Sequence, residues 1–275
     1  MEKEKWIPRF IIATSAVAVL LIILFVVILT RRCKPGEQWK LIWQDEFDQP
    51  GLPSVEKWMS EVGFIRNHEL QYYTVGRQEN ARVENGCLIL EARKEDYQGA
   101  SYTSASLFSK ANWTYGRIEV RAKLPQGKGL RSAIWSLGYN IDKVGWPACG
   151  EIDIMQYLGS DPDQITTQVH TKAYNQMQGG PKGATTQVPA INTDFHLFVI
   201  EWLKDRIDWY IDGQKVFTYP NDKKGLATWP FTQPQYLLLN LSVGGDLLDQ
   251  KAVDKKIFPQ QFTVDYVRVY EGCKK

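Results

Sequence analysis

The chain has 275 residues, with 33 Lys and Arg against 31 Asp and Glu, for a formal net charge of +2. That balance excludes the strongly basic footprint of a nucleic-acid-binding domain. A composition 44% hydrophobic and 12% aromatic excludes a disordered chain, and the length suits one large β-sandwich.

In chain order, the first feature is an uncharged apolar run from Ile11 to Thr30, long enough to cross a bilayer as a single transmembrane helix. It is too long for a cleavable signal peptide, and no Ala-x-Ala-like site follows it. Arg31 and Arg32 stand where small residues would precede a lipidated cysteine, so Cys33 does not mark a lipoprotein. The expectation is an uncleaved signal-anchor at 11–30 behind a ten-residue N-terminus, 1–10. Lys3, Lys5 and Arg9 balance Arg31, Arg32 and Lys34, so charge leaves the orientation open. Residues 31–38, with Pro35-Gly36, read as a linker, and residues 39–272 as one domain.

That domain reads as strands divided by turns. Ala81-Arg-Val and Leu88-Ile-Leu-Glu-Ala flank Asn85-Gly86, a hairpin signal because both turn residues tolerate positive φ. From Tyr115 to Leu124, Ile118, Val120 and Ala122 alternate with Arg117, Glu119, Arg121 and Lys123, the pattern of a half-buried strand. Arg206–Asp212 and Lys215–Tyr219 bracket a second turn at Asp212-Gly213, and Tyr236–Val243 and Phe262–Tyr270 complete the series. No segment after residue 30 sustains a helical period over three turns. Many short strands with Gly, Asn and Pro punctuation predict an all-β sandwich or jelly roll. The thirteen Tyr, eleven Phe and ten Trp serve such a core, and flat aromatic faces also suit the C–H side of a pyranose ring. The cysteines Cys33, Cys87, Cys149 and Cys273 fit free buried thiols or, in an oxidising compartment, a bridge from Cys33 to Cys273.

The segment Cys149-Gly-Glu-Ile-Asp-Ile-Met-Gln-Tyr157 carries the chemistry. Residues i and i+2 of a strand face the same way, so Glu151 and Asp153 share one face and Ile152 and Ile154 the other. Adjacent like charges destabilise a strand, so paired acids suggest a functional role. Gln156 falls on the wrong face under strict alternation, and a β-bulge near Ile154-Met155 returns it to the acids.

This strand resembles the Glu-x-Asp-x-x-Glu signature of glycoside hydrolase family 16, in its bulge-containing, laminarinase-like branch. The resemblance extends to Trp43-x-Asp-Glu-Phe47, Asn67-His-Glu-Leu-Gln-Tyr-Tyr-Thr74, Tyr115-Gly-Arg-Ile-Glu-Val-Arg-Ala-Lys-Leu-Pro125 and Gly145-Trp-Pro-Ala-Cys-Gly150. Val169-His-Thr171, Phe195-His196 and Asp265-Tyr-Val-Arg-Val-Tyr270 also match, so it covers essentially 39–271. It implies a concanavalin-like β-jelly-roll sandwich acting on β-1,3-glucan with no cofactor needed for chemistry. Glu151 matches the nucleophile, Asp153 the residue that tunes it, and position 156 the general acid/base. His170 matches a supporting histidine, while Asn67, Trp135 and Trp146 match positions around the sugar subsites. A structural Ca²⁺ is common in the family, at positions matching Glu46, the Gly86 carbonyl and Asp265; hydrogen bonding near the termini accounts for the two carboxylates equally well. A polysaccharide partner implies that the domain lies outside the cytoplasm on its membrane anchor.

Three departures stand out. Gln156 keeps the size of Glu, but an amide neither yields a proton nor accepts one at accessible pH. The family's Gly-x-Trp-Pro-Ala-x-Trp is here Gly129-Leu-Arg-Ser-Ala-Ile-Trp135, and its Gly-Gly-x-Trp-Gly-Gly loop is Gly244-Gly245-Asp-Leu-Leu-Asp249. Two readings follow: a retaining β-glucanase weakened at its acid/base, or a non-catalytic β-glucan-binding or sensing module on the same fold.

Overall fold

The computed structural model of the chain describes residues 38–248 and 253–273. The expected anchor at 11–30 and Cys33 lie outside them. No helix among the described residues is long and apolar enough to cross a membrane. Contacts divide the chain into two units, one comprising Leu41–Glu271 and the other the two flanks. In the second unit the Cys273 amide donates to the Gln38 carbonyl at 2.9 Å. Cys273 is disulfide-bonded, whereas Cys87 and Cys149 are free thiols.

The strands are β1 (Trp39–Asp45), β2 (Trp58–Ser60), β3 (Gln71–Tyr73), β4 (Ala81–Glu84), β5 (Cys87–Tyr97) and β6 (Ala100–Ser104). They continue with β7 (Ser106–Ser109), β8 (Gly116–Lys123), β9 (Leu130–Gly138), β10 (Glu151–Leu158), β11 (Gln164–His170) and β12 (Lys182–Gln187). The last are β13 (His196–Trp202), β14 (Arg206–Ile211), β15 (Gln214–Pro220), β16 (Gln235–Val243) and β17 (Gln260–Gly272). Among the described residues the one helix is a single turn at Ile141–Val144.

These strands form a ten-stranded sheet, ordered β15-β14-β13-β8-β17-β5-β6-β3 with β1 beside β17 and β4 beside β5. The second sheet has seven strands, ordered β12-β11-β10-β9-β16-β7-β2. Burial alternates strictly along β8, as its sequence requires. Both turns have the expected positive φ, 53° and 74° at Asn85 and Gly86, 49° and 79° at Asp212 and Gly213, which matches the twist of the paired strands.

One core fills the space between the sheets. Ile118, Val120, Phe198, Ile200 and Val267 come from one side, and Ile134, Ile152, Ile154 and Met155 from the other, each 3% exposed or less. Full burial of each such side chain stabilises by about 1.5–3 kcal/mol, so the core fixes the seven-stranded sheet. The outer face of that sheet has its own apolar patch of Ala133, Trp135, Leu137, Cys149 and Leu238.

On the ten-stranded sheet, the two carboxylates matched to the calcium positions take the hydrogen-bonded alternative. Arg268 donates twice to Glu46, at 2.8 Å each, and Arg121 donates to Asp265. Each carboxylate already faces a guanidinium. A calcium ion at these positions would have to share or displace those guanidinium contacts.

Candidate active site

The outer face of the seven-stranded sheet holds a cleft of about 640 Å³ lined by Arg66, Asn67, Arg131, Trp135, Trp146, Glu151, Gln156 and His170, among others. Its floor is β10 between β9 and β11. Strand β10 begins after Gly150, whose φ is +80° and where an added Cβ would lie 2.6 Å from Pro230 Cγ. Only glycine allows that entry, because it accepts positive φ and has no side chain to clash.

Glu151 lies opposite Leu137 of β9 and His170 of β11, and Asp153 opposite Trp135 and Gln168. The register then slips: Met155 faces Ile134 and Gln156 faces Ala133. Ile154 is thus the extra residue of a β-bulge, and Ile154 and Met155 both point into the core, at 1% and 0% exposure. Two consecutive core residues return Gln156 to the cleft face beside Glu151 and Asp153.

The acids are held from several directions. Trp146 Nε1 donates to Glu151 Oε2 at 2.7 Å, and His170 Nε2 lies 3.8 Å from Glu151 Oε1. His170 Nε2 is also 3.2 Å from Asp153 Oδ2, which accepts a second bond from Gln168 Nε2 at 2.8 Å. Trp209 Nε1, from β14, donates to the Asp153 carbonyl at 2.9 Å, so the core itself pins the strand.

These contacts divide the charge. Burial, then the neighbouring charge of Asp153, pushes Glu151 up to about 7, against the pull of His170, Trp146 and Arg131. Burial also pushes Asp153 upward, but the His170 hydrogen bond and charge, with Arg131 and Gln168, hold it below the usual range. His170 is raised because its hydrogen bond to Asp153 and the charges of Asp153 and Glu151 outweigh burial. Asp153, held toward its charged form, His170, raised beside it, and Glu151, pushed up to about 7, form one unit, with Glu151 the acid that lines the open cleft.

Gln156 meets Arg131. Guanidinium nitrogens only donate, so the amide turns its oxygen toward them and accepts from Arg131 Nε at 3.2 Å and Nη2 at 2.6 Å. Arg131 Nη1 lies 3.8 Å from Glu69 Oε1 behind it.

A model of the glycosyl hydrolases family 16 matches residues 68–268 of this chain. The chain belongs to glycosyl hydrolase family 16. It is similar to a β-glucanase of Rhodothermus marinus, 47% identical over 250 residues that cover 87% of each. The X-ray structure of the laminarinase from Rhodothermus marinus superposes with a TM-score of 0.82 at 46% identity, over 86% of this chain and 98% of that one. A non-specific endo-β-1,3(4)-glucanase of the family, co-crystallised with 1,3-β-D-cellotriosyl-glucose, gives a TM-score of 0.81 at 44% identity, over 87% and 97%.

The family 16 positions picked out by sequence gather around this cleft with unequal exposure. Trp146 is 41% exposed and offers its ring to the opening. Trp135 is buried, donates to Asn240 Oδ1 at 2.8 Å and carries the Arg66 guanidinium over its ring at 5.0 Å. Asn67 has φ +54°, and its carbonyl accepts from the Asp246 amide at 2.7 Å, tying two loops at the rim. Glu46, Gly86 and Asp265 are not among the cleft-lining residues. Sequence reasoning missed Gln168, although its place two residues before His170 on one strand face was readable. It also noted Arg131 as a departure without pairing it with Gln156.

Proposed function

We propose that the cleft binds β-1,3-glucan and that Glu151 is a competent nucleophile without a proton-donating partner at position 156. The Glu151 carboxylate attacks the anomeric carbon, the glycosidic C–O bond breaks, and the departing oxygen leaves with the electron pair. A sugar alkoxide is a poor leaving group without protonation, so glucan should turn over about 10²–10⁴-fold more slowly than with a carboxylic acid at position 156. The resulting glycosyl-enzyme lacks a base to activate water and should be slow to hydrolyse. One observation carries this reading: Glu151 keeps its Trp146 and His170 contacts, while position 156 offers an amide tied to Arg131. The apolar run at 11–30 would hold the domain at a membrane, outside the cytoplasm where polysaccharide lies.

The test uses a dinitrophenyl β-laminaribioside, whose leaving group needs no proton, with and without azide. Azide should accelerate turnover and give a glycosyl azide of retained β configuration, and Glu151→Ala should abolish both. Absence of aryl release in either condition, together with retained binding of laminari-oligosaccharides, would favour the binding module. Laminarin hydrolysis already at the rate of a Gln156→Glu variant freed of Arg131 would overturn the role given to Gln156.

A further inference from the structure

Position 156 has a neighbour that decides what any side chain there can do. Arg131 and Ala133 are two residues apart on β9 and share a face, and Ala133 lies opposite Gln156. The small alanine leaves room for Arg131 to reach across diagonally. Its side chain is only 10% exposed, and it grips the Gln156 oxygen with two donors. With the oxygen so engaged, the donor left to this cleft-lining side chain is its amide nitrogen.

We infer that Arg131 is a positioning residue that fixes Gln156 with its NH₂ toward the departing oxygen and would hold a glutamate at the same position as a carboxylate. Resting on the role proposed for position 156, this makes the site a fixed hydrogen-bond donor. It supports donors that leave as stable anions, such as aryl or acyl oxygens, and discriminates against sugar alkoxides. A single Gln156→Glu replacement then fails to rebuild the acid, because the two guanidinium hydrogen bonds favour the charged form of the new side chain. Other charges also surround the position: Glu151 and Asp153 on its own strand, His170 on β11, Arg66 and Asp246 elsewhere in the cleft lining, and Glu69 behind Arg131. A comparison that changes only Arg131 isolates its effect from theirs.

The experiment compares Gln156→Glu alone with Gln156→Glu combined with Arg131→Met or Arg131→Lys. The δ-carboxyl of residue 156 is titrated by ¹³C NMR, and laminarin hydrolysis is measured in parallel. With Arg131→Met the carboxyl should bind its proton at least about tenfold more tightly than in Gln156→Glu alone, and the charge-conserving Arg131→Lys should cancel most of that difference. Laminarin turnover should rise less than about tenfold in Gln156→Glu and by a further tenfold or more once Arg131→Met is added. A titration unaffected by Arg131→Met, or full glucan hydrolysis by Gln156→Glu alone, would overturn the inference. The titration needs no turnover, so an incompetent Glu151, seen as absent azide-assisted aryl release in every variant, would sink the proposed function and leave this inference separately decided.

Discussion

His170 Nε2 sits 3.2 Å from Asp153 Oδ2, a buried contact directly beside Glu151. The pair is nearly closed to solvent: the Asp153 side chain is 1% exposed and that of His170 3%. Its strength therefore depends on the few other groups that touch it.

Gln168 is the first of these. Its amide is the second donor to Asp153 Oδ2, at 2.8 Å, and Gln168→Leu removes that donor without emptying the space. Loss of one hydrogen bond to a buried carboxylate should cost about 1–3 kcal/mol, and Asp153 should lose part of what holds it below the usual carboxylate range. Urea unfolding at pH 7 measures the loss. A change under about 0.5 kcal/mol, the range of ordinary surface substitutions, would show that Gln168 is a bystander.

Glu151 must be ionised to attack, so azide-assisted cleavage of the aryl glycoside should fall off on the acidic side of about 7, where burial and Asp153 have placed it. Trp146→Phe keeps the ring but removes the N–H that favours the charged form at 2.7 Å. The acidic limb of kcat/KM should then move to higher pH. Trp146 is 41% exposed, so thermal stability should change little. A limb near the ordinary glutamate value, or one that Trp146→Phe leaves in place, would show that these groups do not govern the nucleophile.

The same carboxyl burdens the fold. Its folded-state value lies above the unfolded 4.5, at about 7, so the native protein binds the extra proton and stability is lost as pH rises through that window. Above about pH 7 the full cost is about 3 kcal/mol. Glu151→Gln should therefore raise Tm clearly at pH 8 and scarcely at pH 5, while abolishing azide-assisted turnover. Equal gains at both pH values in calorimetry would mean that ionisation is not the source.

On the ten-stranded sheet, Glu46 is engaged by Arg268 and Asp265 by Arg121. Added Ca²⁺ or EDTA should leave Tm unchanged in a thermal scan of the purified domain. Arg268→Ala would leave Glu46 without its partner and should make Tm calcium-sensitive only if the remaining oxygens can gather around an ion.

The sequence made the sheets legible wherever a local rule sufficed. The alternation of Ile118, Val120 and Ala122 gave β8, and Asn85-Gly86 and Asp212-Gly213 placed two hairpins, because pleat and turn chemistry act over a few neighbouring residues. The bulge was legible through Gln156, whose polarity conflicts with the parity of the strand. What stayed hidden depends on partners distant in the chain. Trp209 reaches Asp153 across the core from β14, and Arg131 reaches Gln156 because β9 and β10 are neighbours. The partners of Glu46 and Asp265 were hidden for the same reason: Arg268 and Arg121 are distant in the chain and meet them only in the folded sheet.

The extra residue Ile154 has a consequence for how such a site can change over time. Ile154 and Met155 are anchored in the interior, so the spacing between residues 151 and 156 is dictated by oil-filled space on the far side of the sheet. The cleft can therefore exchange a carboxyl for an amide without losing its shape. Architecture and cleft chemistry are thus set by opposite faces of one strand, and cleft-side positions such as 131 and 156 can change residue type while every interior residue stays where it was.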